Sequence, residues 1–191
     1  MLEHGWNSLA AVPDRILDGW AERFDVVWLM GVWLAGVKGR QLAQTHPGLA
    51  GEIRRALPDA AKEDVVSSPY AVMDYRVSLA LGGDAAMAAF RRRMRDRGLR
   101  LMLDLVPNHV ARDHPWVAAH PGRFVQGNGS DIARSPQNYF RAKTKSGMKI
   151  FAHGRDPYFD GWQDTVQIDI FSPDMRRAMI DLIMDLAGMC D

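Results

Sequence analysis

The chain has 191 residues, 47% of them hydrophobic and 25% charged, which is the composition of a soluble globular domain able to bury a core. Its formal net charge of +1 gives no general attraction to nucleic acid or to an anionic membrane, and no stretch reaches the ~20 apolar residues of a membrane helix. The single cysteine, Cys190, excludes an internal disulfide, and the N-terminus lacks the features of a signal peptide, so the sequence predicts a cytoplasmic protein.

Helical and strand patterns alternate along the first part of the chain, which predicts a parallel α/β sheet. A short helix is predicted from about Pro13 to Arg23. The almost unbroken apolar run over 26–34 is typical of a strand that is buried on both faces. Residues 48–57 predict a second helix, and residues 70–77 predict a weaker strand.

The rest of the chain begins with a helix, continues through the clearest strand and ends with another helix. Residues 84–97 predict the first helix, and residues 99–106 predict the strand. Residues 110–169 show no long periodic segment, and so long an irregular stretch within a domain is usually functional. Ser-Pro-Asp at 172–174 marks the start of the last helix. The helix at 84–97 is predicted to bury Met87, Phe90 and Met94, which share one face.

The predicted order of elements is therefore strand-helix, strand-helix, strand-long loop-helix. This order fits the first three units of a TIM (β/α)8 barrel, and it also fits the first part of a doubly wound sheet. A complete barrel needs ~250 residues, so the chain would hold only part of one. Periodicity alone leaves both folds open.

The densest group of polar side chains lies where the strand at 99–106 ends. Asp104 is placed inside this apolar strand, where a carboxylate is costly unless it is paired or well hydrogen-bonded. Asn108 and His109 follow at the C-terminal end, which is where barrel enzymes place their active sites. Asp104 can therefore belong to a functional site, or it can be a structural carboxylate that holds a loop, and its position favours neither.

Three other patterns in the long irregular stretch have more than one interpretation. His109, Asp113 and His114 could bind a metal ion, but loop histidines without a further well-spaced ligand are usually not a zinc site, so a metal site is not favoured. The sequence 127–129, Gly-Asn-Gly, could form a phosphate-binding loop, but no helix start is predicted close after it. The aromatic side chains could stack on sugar rings, although a small core of the loop's own is the better interpretation for each one singly. These aromatic residues are Tyr139, Phe140, Phe151, Tyr158, Phe159 and Trp162.

The segment Leu103-Asp104-Leu105-Val106-Pro107-Asn108-His109 resembles the first signature region of glycoside hydrolase family 13, the α-amylase family, whose pattern is Asp-x-Val-x-Asn-His. Other segments agree with the family in the expected order, and the resemblance covers nearly all of residues 20–191. Phe24 to Met30 is similar to the family's first barrel strand, and Ser68 to Tyr75 resembles its Gly-Tyr-x-x-x-Asp-Tyr segment. The remaining segments are 81–99 before the third strand, 162–169 at the fifth signature region and 188–191 at the second.

By this resemblance, five residues contribute to the site. Tyr70 would stack on the sugar ring in the subsite where cleavage occurs, and His109 would hydrogen-bond a hydroxyl of the same sugar. Asp104 would support the site by pairing with an arginine of the second signature region, which this chain lacks. Asn108 would anchor the long loop, in many relatives through calcium, and Asp74 would be structural. No cofactor is required, and calcium is the metal that the resemblance allows.

The resemblance also implies the fold and the activity. The chain would be the N-terminal part of a TIM (β/α)8 barrel, truncated before strand 4, with strands 1–3 and their helices at 1–109, a loop domain at 110–169 and helix 3 at 170–191. It would be a fragment of an α-amylase-type glycoside hydrolase acting on α-glucosidic bonds of starch-like or oligosaccharide substrates, so carbohydrate is the expected partner. The nucleophile and the acid/base of the retaining mechanism are expected beyond Asp191, and the chain alone is expected to be inactive.

Two alternatives accompany this interpretation. The chain could belong to a non-catalytic relative that binds sugar or a partner through the same face, or to an unrelated α/β protein with a chance motif. The second is the weaker, because the agreement is ordered along almost the whole chain. Three departures leave the linkage and chain-end preference open, and one of them is Asp169, which stands where many relatives have asparagine. Pro69 replaces the family's glycine before Tyr70, and Ser67 stands where many exo-acting relatives carry an aspartate that binds the non-reducing end.

Overall fold

Residues 8–191 are described by the computed structural model, and they divide into two units. The first unit comprises residues 8–34, 74–105 and 180–191, and the second comprises residues 35–73 and 106–179. The helices of the described chain are α1 Asp14–Ala21, α2 Val37–Thr45, α3 Pro47–Ala56, α4 Gly83–Arg95, α5 Pro115–Ala119, α6 Gly129–Arg134 and α7 Pro173–Ala187. The strands are β1 Val26–Leu29, β2 Trp33–Ala35, β3 Val72–Val77, β4 Arg100–Leu103, β5 His109–Ala111, β6 Gln126–Gly127, β7 Tyr139–Thr144, β8 Gly147–Ala152 and β9 Thr165–Gln167.

In the first unit, two parallel strands and one long helix form the core. β1 pairs with β4 in parallel along the full length of both strands. α4 packs against β4, and its predicted buried face is confirmed, because Met87, Phe90 and Met94 are at most 1% exposed. Leu17 of α1 and Leu101 of β4 are fully buried in the same unit. Side chains three and four residues apart share one face of a helix, and this spacing places the methionines and phenylalanine in the core.

The strand predicted over 26–34 differs from the observed structure in two respects. It is interrupted after Leu29, because Gly31 has a φ of 65°, a left-handed conformation that an extended strand does not contain. It is also not buried on both faces, since Val26 is 39% exposed and Trp28 is 50% exposed. Within residues 8–191, helical packing covers only one face of this strand pair, so alternate side chains of β1 stay in contact with solvent.

The strand predicted over 70–77 is observed as β3, but it does not join a parallel sheet. β3 pairs with β2 in a separate two-stranded sheet, while β1 pairs directly with β4. Gly36 N donates to Ala71 O and Ser78 N donates to Val32 O, an order that makes β2 and β3 antiparallel. Apolar periodicity shows that a segment is extended, but it does not specify which strand will be its partner. The α/β class is observed, with one parallel pair in the first unit.

The second unit contains an antiparallel sheet in the order β6-β8-β7 and a second antiparallel pair, β5 with β9. Phe124, Phe140 and Phe151 fill the space at the three-stranded sheet, with exposures of 2%, 4% and 0%. The ring centroids of Phe140 and Phe151 are 5.8 Å apart, a separation typical of interacting aromatic pairs. The stretch at 110–169 therefore has a small core of its own, as the sequence indicated for Phe140 and Phe151.

Local structure in the second unit departs from the prediction in two places and agrees with it in one. The prediction has no helix at α2, where the apolar pattern is weak. It also has no helix start after 127–129, yet the side chain of Asn128 accepts hydrogen bonds from two backbone N–H groups and starts α6. At the start of α7, the predicted cap is observed, because Met175 N donates to Ser172 Oγ at 3.4 Å. Across residues 8–191, none of the helices has the length and apolarity that a bilayer crossing requires.

Candidate functional site

Two of the predicted site residues, Tyr70 and His109, meet in the second unit. His109 begins β5 and is 9% exposed, while Tyr70 lies just before β3 and is 40% exposed. The His109 ring hydrogen-bonds the backbone of Tyr70. The buried His109 imidazole and the backbone of the partly exposed Tyr70 therefore lie in contact in this unit.

A chain of amide hydrogen bonds fixes the orientation and the protonation of the His109 ring. Gln167 Nε2 donates to Asn108 Oδ1 at 2.9 Å, which directs the Asn108 amide nitrogen towards His109. Asn108 Nδ2 lies 3.2 Å from His109 Nδ1. Because an amide nitrogen can only donate, Nδ1 accepts and the ring proton resides on Nε2. The backbone oxygen of Asn108 also accepts hydrogen bonds from Gln167 Nε2 and Ile168 N. Asn108 therefore links the segment that follows β4 to the end of β9.

The charge state of His109 follows from its surroundings. Burial lowers the pKa of His109 below its ordinary value, because the charged imidazolium loses its hydration there. The Asp164 carboxylate and the hydrogen bond to the Tyr70 backbone oppose this shift. The outcome is a neutral ring near pH 7, able to donate from one nitrogen and accept at the other.

Trp162 is packed beside His109 by a small set of backbone contacts. Trp162 N donates to Gly154 O at 2.8 Å, and the ring centroids of Trp162 and His109 are 5.1 Å apart. Position 154 must be glycine at this packing distance, since a Cβ there would lie 2.8 Å from the Cβ of His109 and 2.7 Å from Thr165 Oγ1. Trp162 and Asp164 were not predicted as site residues. Two signals in the sequence pointed to them, the presence of Trp162 among the loop aromatics and the resemblance of 162–169 to the fifth signature region.

Two further predicted site residues, Asp74 and Asp104, lie in the first unit, whereas Asn108 lies in the second. Asp104 is 8% exposed, and its carboxylate accepts hydrogen bonds from Trp28 Nε1 at 2.9 Å and from Gly31 N at 2.5 Å. Trp33 Nε1 donates to the backbone oxygen of Asp104 at 3.0 Å. Asp74 forms an ion pair with Arg76 at 2.7 Å. The buried Asp104 carboxylate is therefore well hydrogen-bonded, as a carboxylate at such a position requires.

Neither of the possible metal ligand sets converges in the described residues. His114 Nδ1 accepts from Trp116 N as the cap of α5, and Asp113 Oδ2 accepts from Lys38 N. In residues 8–191 no group of three or more histidine, cysteine or acidic side chains is placed to hold a metal ion. The Asn108 side-chain oxygen already accepts from Gln167. The residues present therefore do not fit a carboxylate-based calcium site at Asn108.

Comparisons with known proteins agree with the sequence motif. The sequence profile described as alpha amylase, catalytic domain, matches residues 49–167. No curated protein sequence matches the chain significantly. Among solved structures, the chain is similar to trehalose-6-phosphate hydrolase from Bacillus licheniformis, with 14% identity and a TM-score of 0.61. It is also similar to isomaltulose synthase from Erwinia rhapontici NX5, with 17% identity and a TM-score of 0.62, and to α-amylase from H. orenii, with 16% identity and a TM-score of 0.56.

These matches cover most of this chain but only a part of each solved structure. Each comparison covers 95% of this chain, but only 30%, 29% and 34% of the three solved chains in the same order. The chain therefore spans about a third of the length of the enzymes that it matches. At such low identities the structural likeness shows the fold alone.

Proposed function

The chain belongs to the α-amylase family of glycoside hydrolases, family 13, and we propose that its second unit forms the sugar-positioning part of an enzyme acting on α-glucosidic bonds. The substrates would be starch-like glucans or oligosaccharides. The reaction would be hydrolysis or transfer with retention of configuration. The α/β architecture and the ordered family motifs support this proposal.

One observation carries it: the oriented His109 ring hydrogen-bonds the backbone of Tyr70, a residue that is 40% exposed. A pyranose has apolar C–H faces and a rim of hydroxyl groups that both donate and accept hydrogen bonds. Tyr70 offers an aromatic face to the apolar C–H faces of the sugar. The Nε2–H of His109 offers a hydrogen-bond donor to the sugar hydroxyl groups. A sugar hydroxyl would share this donor with the Tyr70 backbone. The Gln167–Asn108–His109 hydrogen bonds would hold the ring in place before the sugar arrives, which lowers the ordering cost of binding.

Asp74 and Asp104, the two predicted site carboxylates in the first unit, are not assigned as catalytic groups in this proposal. A retaining glycosidase needs a nucleophile and an acid/base whose carboxyl groups lie ~5–5.5 Å apart. Asp104 already accepts from Trp28 and Gly31, and Asp74 is paired with Arg76. We assign both a supporting role, and we assign no nucleophile or acid/base among these 191 residues.

The test uses the natural polypeptide that contains these residues. Tyr70→Ala and His109→Ala should each lower kcat/KM on α-glucosides by roughly 100-fold, because loss of either contact misplaces the reacting sugar by ~1 Å. Tyr158→Ala and His120→Ala are matched controls, since both side chains are exposed in the same unit, and they should change kcat/KM by less than about twofold.

A second arm uses residues 1–191 alone with a nitrophenyl α-glucoside, and no turnover is expected without a nucleophile. Turnover that disappears on mutation of one acidic residue of this chain would contradict the assignment of the carboxylates. Wild-type kinetics in both Tyr70→Ala and His109→Ala would contradict the proposed site. Sugar binding without turnover in the natural polypeptide would favour the non-catalytic relative.

A further inference from the structure

A cavity of about 460 Å³ lies within the second unit, between the start of α2, the segment 112–118 and β7. This volume is within the ~300–1,000 Å³ range of small-molecule sites in proteins. The lining carries an excess of positive charge. Its cations are Lys38, Arg112, Arg141 and Lys143, and its carboxylate is Asp113.

Arg112 is the one of these four cations that is not exposed. Its guanidinium lies over the Phe140 ring, 4.3 Å from the ring centroid, and Nη1 donates to Gln163 O at 3.4 Å. Burial lowers the pKa of Arg112, and the Asp113 carboxylate opposes this shift only in part. Arg112 forms no direct ion pair within residues 8–191. An anion in the cavity would therefore compensate a charge that the described protein leaves partly uncompensated.

The other side of the cavity presents two cations from one strand. Arg141 and Lys143 are two residues apart on β7, so they share one face of the strand and their Cα atoms lie ~7 Å apart. Both are exposed. Asp113 does not neutralise them, because its Oδ2 accepts a hydrogen bond from Lys38 N. His114 adds no charge in this arrangement, since its Nδ1 accepts from a backbone N–H.

The charge and the geometry of the lining favour phosphate over other anions. Four positive groups against one carboxylate leave a net charge of +3 around the cavity, in a chain whose total is +1. One phosphate monoester carries about −1.5 to −2 at pH 7, so two such groups match this charge better than one. The cations come from a helix, a loop and a strand, so they approach from different directions. The tetrahedral oxygens of phosphate can contact several of them at once, whereas the two oxygens of a carboxylate lie in one plane.

The aromatic ring at this cavity does not offer a stacking surface to a ligand. Phe140 is 4% exposed, because the Arg112 guanidinium lies over its ring and the His153 ring stacks on it at 4.7 Å. A nucleobase or another planar group would find no free ring face here. Recognition at this cavity therefore depends on the anionic part of the ligand.

We propose that this cavity binds a small molecule that carries two adjoining phosphate groups. Arg112 and Arg141 bind phosphate oxygens through the paired N–H groups of their guanidinium forks, and Lys38 and Lys143 act as point charges. The cavity shares no lining residue with the Tyr70–His109 pair, so this proposal stands apart from the proposed sugar site.

The test measures binding of three probes to the natural polypeptide by calorimetry, in magnesium-free buffer with 0.15 M salt, an ionic strength that screens charges more than ~8 Å apart. The probes are pyrophosphate, inorganic phosphate and citrate, a tricarboxylate of similar charge to pyrophosphate. Pyrophosphate should bind at least about tenfold more tightly than either of the others. Its effect on the melting temperature provides a second measure of binding, since a ligand of the folded state raises that temperature.

Two double variants separate the cavity from a general effect of charge. Arg141→Gln with Lys143→Gln should weaken pyrophosphate binding by at least about tenfold, and the fold should be kept because both side chains are exposed. Lys145→Gln with Lys149→Gln removes the same charge from the same hairpin but outside the cavity lining, and it should change the affinity by less than about twofold.

A further variant tests the guanidinium fork. Arg112→Lys keeps the charge but loses the paired N–H groups, and it should weaken pyrophosphate binding by about fivefold. Equal losses in the two double variants would overturn the site, because any removal of positive charge would then have the same effect. Citrate that binds as tightly as pyrophosphate would overturn the ligand class. Absence of pyrophosphate binding by both measurements would overturn the proposal as a whole.

Discussion

Both units of this chain bury apolar side chains, but among the described residues only the second buries imidazoles. In the first, the fully or almost fully buried groups are aliphatic, thioether and phenyl groups such as Leu17, Met87 and Phe90, and Asp104 is a buried carboxylate held by two donors. The second buries aliphatic and thioether groups too, such as Val110, Val166 and Met175, together with phenylalanines and, unlike the first, imidazoles. His153 stacks on Phe140 with ring centroids 4.7 Å apart. The first unit thus resembles a scaffold, and the second places polar chemistry inside an aromatic core.

This difference indicates that the two units contribute differently to the stability of the chain and to ligand recognition. Removal of apolar surface from water stabilises the first unit without directional requirements. The second unit depends on oriented contacts, such as Arg112 over the Phe140 ring at 4.3 Å and His153 Nδ1 with Thr165 O at 2.9 Å. Oriented groups are what a site for a polyhydroxylated ligand needs, because each donor must already point in one direction.

The largest expected effects come from deleting one core phenyl ring in each unit. Phe90→Ala and Phe151→Ala should each lower the free energy of unfolding by ~3–5 kcal/mol, because both rings are fully buried and their removal leaves a cavity. Urea unfolding followed by circular dichroism measures the change. Phe159→Ala is the matched control in the second unit, where the ring is 70% exposed, and it should cost less than about 0.5 kcal/mol. A cost below about 1 kcal/mol for Phe151→Ala would show that the second unit lacks the core described here.

A smaller effect on the free energy of unfolding should distinguish the two supporting carboxylates of the first unit, Asp104 and Asp74. Asp104→Asn replaces one acceptor oxygen with an amide group and leaves either Trp28 Nε1 or Gly31 N without a partner, which should destabilise by ~1–3 kcal/mol. Asp74→Asn removes only an exposed ion pair with Arg76, which is worth ~0–1 kcal/mol. The same unfolding measurement compares them. Equal costs for the two variants would mean that Asp104 is not held as the hydrogen bonds indicate.

The smallest effect is a pH dependence confined to the second unit. Burial lowers the pKa of both His109 and His153, so between each folded pKa and the unfolded value of ~6.5 the unfolded chain binds more protons. Their contribution to stability is complete above about pH 6.5 and is lost as pH falls from there towards the folded pKa. The urea concentration at the unfolding midpoint of the second unit should therefore decrease as the pH is lowered from about 7.5 to about 5.5. His153→Asn should flatten this dependence, and an unchanged slope in that variant would argue against a neutral buried ring at this position.

Several features of the molecule could be predicted from the sequence because they depend on local spacing or local chemistry. The helix face of Met87, Phe90 and Met94 follows from the three- and four-residue spacing, and the cap at Ser172 follows from its neighbours Pro173 and Asp174. The family followed from an ordered series of motifs, and the profile match over 49–167 confirms it. The roles of Tyr70 and His109 stay predictions, although the structure brings the two residues together.

The tertiary structure decided what depends on partners distant along the chain. Apolar runs marked β1 and β4 as strands, but only the folded chain shows that they pair directly while β3 pairs with β2. Trp162 and Asp164 reach His109 because β9 pairs with β5 and Gly154 allows a close approach. Periodicity shows which face of a segment is apolar. Strand partners and cavity walls depend on packing between segments that are distant in the sequence, and the spacing of residues within one segment does not determine that packing.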